Sequence, residues 1–330
     1  MGSIELVCPA GSPAMLEAAV EAGADSVYCG LRDETNARNF PGLNFDAGEL
    51  AQAVTDCHRR GAKVLVAINT FARAGDEARW RRSAETALEA GADAIIAADL
   101  AVLAHVRSLS PTARLHLSVQ AAANTPEAIA FYAETFGVRR VVLPRVLSAQ
   151  EIARLVGDVA TEVEAFVFGG LCVMAEGRCA LSSYATGQSP NLSGVCSPPE
   201  AVSFERSAAG MTSRLAGLAL DQVPTGKTAG YPTLCKGRFA VDGEASYLFE
   251  EPTSLNAMGL LAELRAAGVH AVKIEGRQRG KAYVARVTRA FRSAIDALDR
   301  GESTAPYEHL LTDLAEGGRE IAGAYNKRWR

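Results

Sequence analysis

The stretch "EAGADSVYCG" at residues 21–30 has two close relatives in the chain, "EAGADAIIAA" at 89–98 and "AAGVHAVKIEG" at 266–276. In each copy an alanine-rich stretch ends at a glycine, and a short apolar run follows. Glycine is the usual residue just after a helix, and a continuous apolar run suits a strand that is buried on both faces of a parallel sheet. The three copies therefore predict a repeated unit in which a helix leads into a parallel strand.

The same alternation runs along most of the chain and predicts eight strands. They lie at residues 4–11, 25–31, 63–70, 93–100, 115–122, 139–147, 163–171 and 270–277. Repetition of one βα unit favours a TIM-like (β/α)8 barrel, and a doubly wound nucleotide-binding sheet has little support because no G-x-G-x-x-G follows the first strand. We predict a single barrel domain over residues 1–330.

A long segment separates the seventh predicted strand from the eighth. Residues 172–254 are rich in Gly, Pro, Ser and Thr, and we predict that they form a cysteine-bearing insertion at the carboxyl ends of the strands, where barrel active sites lie. The only strand pair expected within it is "GRFAVDGEASYLFE" at 237–250, because its Asp-Gly step is a hairpin signal.

The composition is that of an ordinary globular protein, with 48% hydrophobic and 22% charged residues among 330. A net charge of −4 argues against a protein held mainly by phosphate contacts, so no nucleic-acid partner is expected. We also expect no membrane span and a cytoplasmic location, because no long apolar run and no leader-like start are present. In a reducing compartment the seven cysteines should be thiols or metal ligands rather than disulfides.

Four of the cysteines fall in or next to the insertion, with the spacing C-x6-C-x16-C-x38-C, and each lies beside small or turn-forming residues. These are Cys172, Cys179, Cys196 and Cys235, whereas Cys8, Cys29 and Cys57 read as buried apolar residues. A nucleophilic cysteine would need a histidine base, and all five histidines lie elsewhere in the sequence. Structural zinc sites usually use two tight C-x2–4-C pairs. The wide spacing favours a 4Fe-4S cluster and leaves a zinc site as the alternative.

Polar residues at the predicted strand ends are the candidates for chemistry. The eighth strand ends in "VKIEGRQR", where Lys273 and Glu275 should point the same way, so we predict a catalytic role for Lys273, Glu275 and Arg277. The alternative for the first two is a buried ion pair without chemistry. The candidates for substrate binding are Asn36, Arg38, Asn69, Gln120, Arg145 and Arg178. Glu176 lies between two of the cysteines with Arg178, and the two could support a metal centre there or pair with each other.

The segment "EAFVFGGLCVMAEGRCALS" at 164–182 resembles the signature of the collagenase-like U-type peptidase family. The matching residues are Glu164, Phe166, Gly169, Leu171, Cys172, Gly177, Cys179, Leu181 and Ser182. Gly170 departs from the pattern, because the family usually has Ser or Ala there. The segments "DETNARNFPGLNF", "VVLPRVLS", "GYPTLCKGR" and "VKIEGRQR" are in addition similar to the branch of the family that acts in ubiquinone biosynthesis.

The resemblance implies a TIM-barrel-like fold and a 4Fe-4S cluster on Cys172, Cys179, Cys196 and Cys235. It also implies oxygen-independent hydroxylation of prenylated aromatic ubiquinone precursors, with prephenate as the hydroxyl donor. The implied partners are a UbiV-like protein in a heterodimer and a lipid-binding ubiquinone accessory protein.

Peptidase activity is not expected, because no H-E-x-x-H, no G-x-S-x-G and no evident Cys–His pair is present. Two other functions stay open. One is hydroxylation of tRNA or rRNA, as in related family members, and the other is a non-catalytic scaffold stabilised by zinc.

Overall fold

The computed structural model describes residues 3–172, 174–227 and 229–326. The strands are β1 (Glu5–Pro9), β2 (Ser26–Gly30), β3 (Lys63–Ile68), β4 (Ala94–Ala97), β5 (Leu115–Leu117), β6 (Val138–Val142), β7 (Glu162–Gly170), β8 (Val202–Ser207), β9 (Gly210–Leu215), β10 (Leu218–Val223), β11 (Arg238–Val241), β12 (Glu244–Tyr247), β13 (Ser254–Asn256), β14 (Ala271–Ile274) and β15 (Glu320–Ile321). The helices are α1 (Pro13–Glu21), α2 (Ala47–Arg59), α3 (Glu77–Glu89), α4 (Leu100–Leu109), α5 (Pro126–Phe136), α6 (Ala149–Asp158), α7 (Leu181–Thr186), α8 (Pro190–Ser193), α9 (Leu261–Ala266) and α10 (Lys281–Asp299).

Strands β1 to β7 pair in parallel in chain order, and β14 pairs in parallel with both β7 and β1, which closes the barrel. All five residues of β2 are buried, as are all four of β4, because helices cover the barrel from outside. Cys8, Cys29 and Cys57 are buried as predicted. The predicted TIM-like barrel is confirmed, with each of its eight strands at the predicted place.

The turn that leads from helix α1 into strand β2 has the structure that the repeated sequence predicts. Helix α1 begins at Pro13 behind the cap residue Ser12, whose hydroxyl accepts a hydrogen bond from the Met15 amide, and it ends at Glu21. Gly23 then has φ +100°, and a Cβ there would lie 2.6 Å from the Arg292 side chain, so the turn into β2 needs glycine on two counts. In the part of the chain that the structure describes, no helix is both long and apolar enough to cross a membrane.

A network of charged side chains lies inside the barrel, next to the seam where β14 pairs with β7. The Glu164 carboxylate is fully buried and accepts hydrogen bonds from Lys273 Nζ at 2.7 Å and from Arg140 Nη1 at 3.2 Å. Arg140 also donates to Glu5 at 2.7 Å. Buried charges are tolerated only when each has a partner, so this network joins β1, β6, β7 and β14.

The insertion contains more regular structure than the sequence predicted. The hairpin of β11 and β12 turns at Asp242-Gly243 as expected, but β8, β9 and β10 form a three-stranded antiparallel sheet that the sequence analysis did not anticipate. The turn between β9 and β10 is Ala216-Gly217, with φ values of +48° and +81°, so the Asn-Gly or Asp-Gly signal that marks such turns is missing.

Both the end of the insertion and the C-terminal segment return to the barrel. Strand β13 pairs antiparallel with β7, and β15 adds to β13 in parallel. Leu311 is fully buried, and the Tyr325 hydroxyl donates a hydrogen bond to the Phe166 carbonyl. The tail is therefore packed against the outer side of the closure seam as far as residue 326.

Glu164→Gln should lower the free energy of unfolding by about 3–5 kcal/mol, because it leaves Lys273 and Arg140 buried without the charge that offsets theirs. Urea denaturation at neutral pH measures the change. Asp313→Asn is the matched control, since it removes a carboxylate whose partner Arg286 is exposed, and its midpoint should stay at the wild-type value. Equal midpoints for the two variants would contradict a stabilising role of the network.

Candidate active site

A small cavity of about 50 Å³, partly open to solvent, lies at the carboxyl ends of the barrel strands. Side chains from most of the barrel strands, or from the loops that follow them, contribute to its wall. The predicted site residues among them are Arg38, Asn69, Gln120, Arg145, Lys273, Glu275 and Arg277. The structure thus brings seven residues from five separate segments of sequence to one place, and their roles stay predictions.

Arg277 is a buried cation without a carboxylate partner among the described residues. Its Nη1 donates to the Asn36 Oδ1 at 3.2 Å, and its guanidinium lies 5.4 Å from the centre of the Tyr28 ring. Burial lowers its pKa to about 10, so the group still carries its charge at neutral pH. A buried charge that faces a cavity and is neutralised by no anion makes the cavity a favourable place for an anionic ligand.

Glu275 lies opposite, just beyond the end of β14. Its Oε1 is 3.5 Å from Arg38 Nε, and its Oε2 accepts a hydrogen bond from the Gly170 amide at 3.3 Å. Burial alone raises the pKa of Glu275, but Arg38, Arg145 and Arg279 outweigh that effect and the pKa falls below its ordinary value. Glu275 is consequently an ionised hydrogen-bond acceptor at neutral pH.

Lys273 and Glu275 share the cavity wall but do not pair with each other. Lys273 donates to Glu164, and its Nζ lies 3.8 Å from the centre of the Tyr28 ring. The pairing of β14 with β7 shifts register between Lys273 and Ile274, whose partners are Phe166 and Phe168, so the extra residue lies in β7, and Lys273 and Glu275 both line the cavity. Lys273 thus forms its buried ion pair with Glu164, and burial lowers the Lys273 pKa. A catalytic role for Lys273 stays a prediction.

The side chains of Asn36 and Asn69 both form hydrogen bonds within the protein. Asn36 is fully buried, donates a hydrogen bond to the Leu31 carbonyl and accepts one from the Arg38 amide at 2.9 Å. It does not line the cavity but holds Arg277 in place through the hydrogen bond that it accepts from that side chain. Asn69 accepts from the Ala37 amide at 2.9 Å and donates to Ser118 Oγ at 3.2 Å. The Asn69 side chain does line the cavity, as does Gln120.

The four predicted metal-ligating cysteines are free thiols that influence one another. Burial raises the pKa of the Cys196 thiol, Arg38 lowers it, and Cys179 and Cys235 raise it further. Cys172 is exposed to solvent, whereas Cys179, Cys196 and Cys235 are half-buried. Within the described ranges, no three His, Cys, Asp or Glu side chains are close enough together to hold a single metal ion. The Cys196 thiol thus interacts electrostatically with Cys172, Cys179 and Cys235, although the thiols are not gathered at one point.

The loop that carries Cys172 and Cys179 approaches the barrel closely. A Cβ at Gly177, which has φ +67°, would lie 2.0 Å from the Gln120 carbonyl, so only glycine allows this contact. Asn191 donates to the Cys179 carbonyl at 2.9 Å, which ties α8 to the same loop. The first two cysteines are therefore held directly above the loop that follows β5.

Glu176 in this loop pairs with Arg145. Arg145 donates to Glu176 Oε1 from Nε at 3.0 Å and from Nη2 at 2.7 Å, and from Nη1 to the Gly170 carbonyl at 2.9 Å. Its guanidinium also lies 4.6 Å from the centre of the Phe166 ring. Both side chains are almost fully buried. The suggested pair of Glu176 with Arg178 is therefore wrong: Arg178 is exposed and lies outside the cavity wall, because the buried Arg145 takes the carboxylate.

The sequence analysis missed Tyr28, Ser118 and Phe166 in the cavity wall, and Glu164 beneath it. Glu164 could have been found, because a carboxylate in the apolar run "VEAFVF" raises the same question as Lys273 in "AVKI". Tyr28 and Phe166 carried no signal, since an aromatic ring in a buried strand is ordinary core.

A closed parallel barrel with a charged cavity at the carboxyl ends of its strands has the architecture of a barrel enzyme. The chain belongs to Peptidase family U32, whose model matches residues 11–327.

Several of its relatives are named for RNA hydroxylation, and another, 29% identical over 91% of this chain and 67% of that protein, is named "Collagenase" of Porphyromonas gingivalis. The chain is 31% identical to "tRNA hydroxylation protein P" of Escherichia coli, covering 95% of this chain and 72% of that protein. It is 30% identical to "tRNA hydroxylation protein P1" of Bacillus subtilis, covering 89% and 63%. It is 29% identical to the E. coli "23S rRNA 5-hydroxycytidine C2501 synthase", covering 95% and 43%. The chain thus spans from under half to nearly three quarters of these relatives.

The expectation that no nucleic acid is involved is contradicted by those relatives that are named for tRNA and rRNA. Net charge misled because it sums over the whole chain, whereas Arg38, Arg145, Lys273 and Arg277 are collected in one cavity. The relatives support hydroxylation and an enzymatic role, and they leave the ubiquinone pathway untested.

Glu176→Gln should lower the free energy of unfolding by about 3–5 kcal/mol, because Arg145 stays buried without its counter-charge. Arg178→Gln is the control from the same loop, since Arg178 is exposed, and its urea midpoint should match the wild type. If Arg178→Gln proved the more destabilising of the two, the assignment of Arg145 as the partner of Glu176 would be wrong.

Proposed function

We propose that this protein is an oxygen-independent hydroxylase that acts on RNA bases, with a 4Fe-4S cluster held by Cys172, Cys179, Cys196 and Cys235. The observation that carries the proposal is the arginine-lined cavity, whose Arg38 and Arg145 interact electrostatically with the thiols of Cys196 and Cys172. The names of the relatives support hydroxylation as the reaction and RNA as the substrate.

The four thiols fit such a cluster in number, chemistry and placement. A 4Fe-4S cluster takes four thiolates and accepts them from separate loops, and these come from three loops of the insertion. Four irons at the corners of a cube hold their ligands farther apart than one ion does, which suits thiols that interact but are not gathered together. When bound, the cluster would supply electron transfer. A zinc scaffold is less well supported, because its four ligands would have to converge on one ion.

The cavity residues support a second expectation, an anionic hydroxyl donor such as prephenate, which carries two carboxylates. Arginine guanidinium groups bind carboxylates through paired hydrogen bonds, and Arg277 is buried here without a carboxylate partner among the described residues. Arg38 lies across the same cavity, bound only loosely to Glu275 at 3.5 Å. Ionised Glu275 would keep a dicarboxylate away from its own side and so help to fix the orientation of the donor.

A second candidate substrate is a prenylated aromatic precursor of ubiquinone. The segments "DETNARNFPGLNF", "GYPTLCKGR" and "VKIEGRQR" resemble UbiU of ubiquinone biosynthesis. The cavity does not discriminate between the two, since each would present a planar ring to the same cations.

The cluster proposal is tested by anaerobic purification followed by iron and sulfide assays and visible spectroscopy. The wild type should load about four irons per chain. Cys196→Ala and Cys235→Ala should lose most of that iron, whereas Cys57→Ala, a buried cysteine of α2, should retain it. Full loading of Cys196→Ala, or stoichiometric zinc in a colourless wild type, would overturn the assignment.

The substrate is tested by incubating the reduced, iron-loaded protein with prephenate under anaerobic conditions, in one arm with unmodified tRNA and rRNA and in the other with a prenylated phenol. Mass spectrometry should find hydroxylated nucleosides in the RNA arm. Arg277→Gln should reduce the turnover at limiting prephenate by at least about tenfold, because it removes a charged hydrogen-bond donor. A product only in the phenol arm would favour the second candidate, and no product in either arm would contradict hydroxylation.

A further inference from the structure

One carboxylate of the C-terminal segment joins three separate parts of the site. Glu316 Oε1 accepts a hydrogen bond from Arg279 Nη2 at 2.6 Å, its Oε2 accepts one from Lys236 Nζ, and its backbone amide donates to Ser254 Oγ at 2.9 Å. We call Glu316, Lys236, Arg279 and Ser254 the Glu316 bridge. None of the four residues belongs to the family signature segment, and the functions discussed above do not use them.

Each member of the bridge is next to a part of the site. Lys236 follows the last of the four cysteines, Cys235, and Arg279 follows the eighth barrel strand, where its charge helps to lower the pKa of Glu275. Ser254 begins β13, which returns the insertion to the barrel. The bridge therefore connects the loop of the fourth thiol, the cavity wall and the end of the insertion through one side chain.

Gly170 explains why the carboxylate can lie there. A Cβ at residue 170 would stand 3.2 Å from Glu316 Oε1 and 3.6 Å from Glu275 Oε2. The first of these distances is tighter than an ordinary contact, so a larger residue would push the Glu316 carboxylate outward. The absence of a side chain at Gly170 leaves the space that the Glu316 carboxylate occupies.

We propose that Glu316 is a positioning residue, which holds the Cys235 loop against the barrel so that this thiol faces the other three. Isolated surface ion pairs contribute little, but here one carboxylate takes two cations, and the Lys236 and Glu316 side chains are only 14% and 24% exposed. The other contacts of the Cys235 loop include some within the insertion, where the buried Leu234 packs with Leu215 and Leu220, and the Cys235 carbonyl accepts a hydrogen bond from the Glu250 amide at 3.3 Å. The inference rests on the proposed thiol site for its functional meaning, but not for its geometry.

The test measures the alkylation of each cysteine in the metal-free full-length protein, by iodoacetamide labelling and peptide mass spectrometry. In Glu316→Gln the labelling rate of Cys235 should rise about fivefold or more, as expected when a local contact of ordinary hydrogen-bond strength is lost. The rate of buried Cys57 should stay unchanged. Glu302→Gln is the matched control, because Glu302 lies in the same tail and its carboxylate pairs, among the residues that the structure describes, with its exposed neighbour Arg300.

Two further variants separate positioning from a general loss of stability. Lys236→Gln should raise the Cys235 rate as Glu316→Gln does, and the double variant should raise it no further, because both remove the same contact. Gly170→Ala should give a smaller increase. An unchanged Cys235 rate in Glu316→Gln, or an equal rise at Cys57, would overturn the proposal.

Iron loading, assayed in parallel, distinguishes this failure from failure of the cluster assignment. If Cys235 becomes reactive in Glu316→Gln while the wild type loads no iron, the positioning role of Glu316 is supported and the cluster assignment is contradicted. If the wild type and Glu316→Gln load iron equally well and the Cys235 labelling rate is unchanged, the cluster assignment is supported and the positioning role of Glu316 is contradicted.

Discussion

The buried carboxylate of Glu164 is the contact on which barrel closure depends. It lies on β7 and binds Lys273 of β14 across the seam, 109 residues away in the sequence, and Arg140 of the neighbouring strand β6. Such a pairing is non-local, so the sheet alone must overcome a large loop-closure entropy. A desolvated ion network that is satisfied in one register only helps to select that register. The insertion leaves from this seam and returns to it, so the position of the thiols depends on the same closure.

The charges divide between two levels. Below the cavity, carboxylates and cations are matched, with Glu5 and Glu164 meeting Arg140 and Lys273. At the cavity itself the cations have fewer carboxylate partners. Glu176 pairs with Arg145, and Glu275 lies 3.5 Å from Arg38. Arg277 contacts the neutral amide of Asn36 and the ring of Tyr28. The excess of positive charge is thus confined to the level at which a ligand can enter. A uniformly charged interior would lack this selectivity and would destabilise the fold.

Much of the fold could be predicted because its signals are local. The repeated helix-to-strand joint and the apolar runs identify all eight barrel strands, and Asp242-Gly243 identifies one hairpin. The sheet of β8 to β10 could not, because its turn at Ala216-Gly217 lacks the usual residues. The polar residues at the strand ends were predicted from their positions, but their partners were not. Which carboxylate meets Lys273, or which cation meets Glu176, depends on how β7 and β14 align and on a loop path that the sequence does not reveal.

The cavity and the thiols are best regarded as one site, because single side chains face both. Arg38 lies 3.5 Å from Glu275 in the cavity, and the same guanidinium lowers the pKa of the Cys196 thiol against the effect of burial. Arg145 lines the cavity and holds the loop between Cys172 and Cys179 through Glu176. A charge bound in the cavity would therefore act on the thiols through the same two guanidinium groups, and a change of charge at the thiols would act back on the cavity. Such reciprocity is a thermodynamic requirement whenever two sites share a coupling energy.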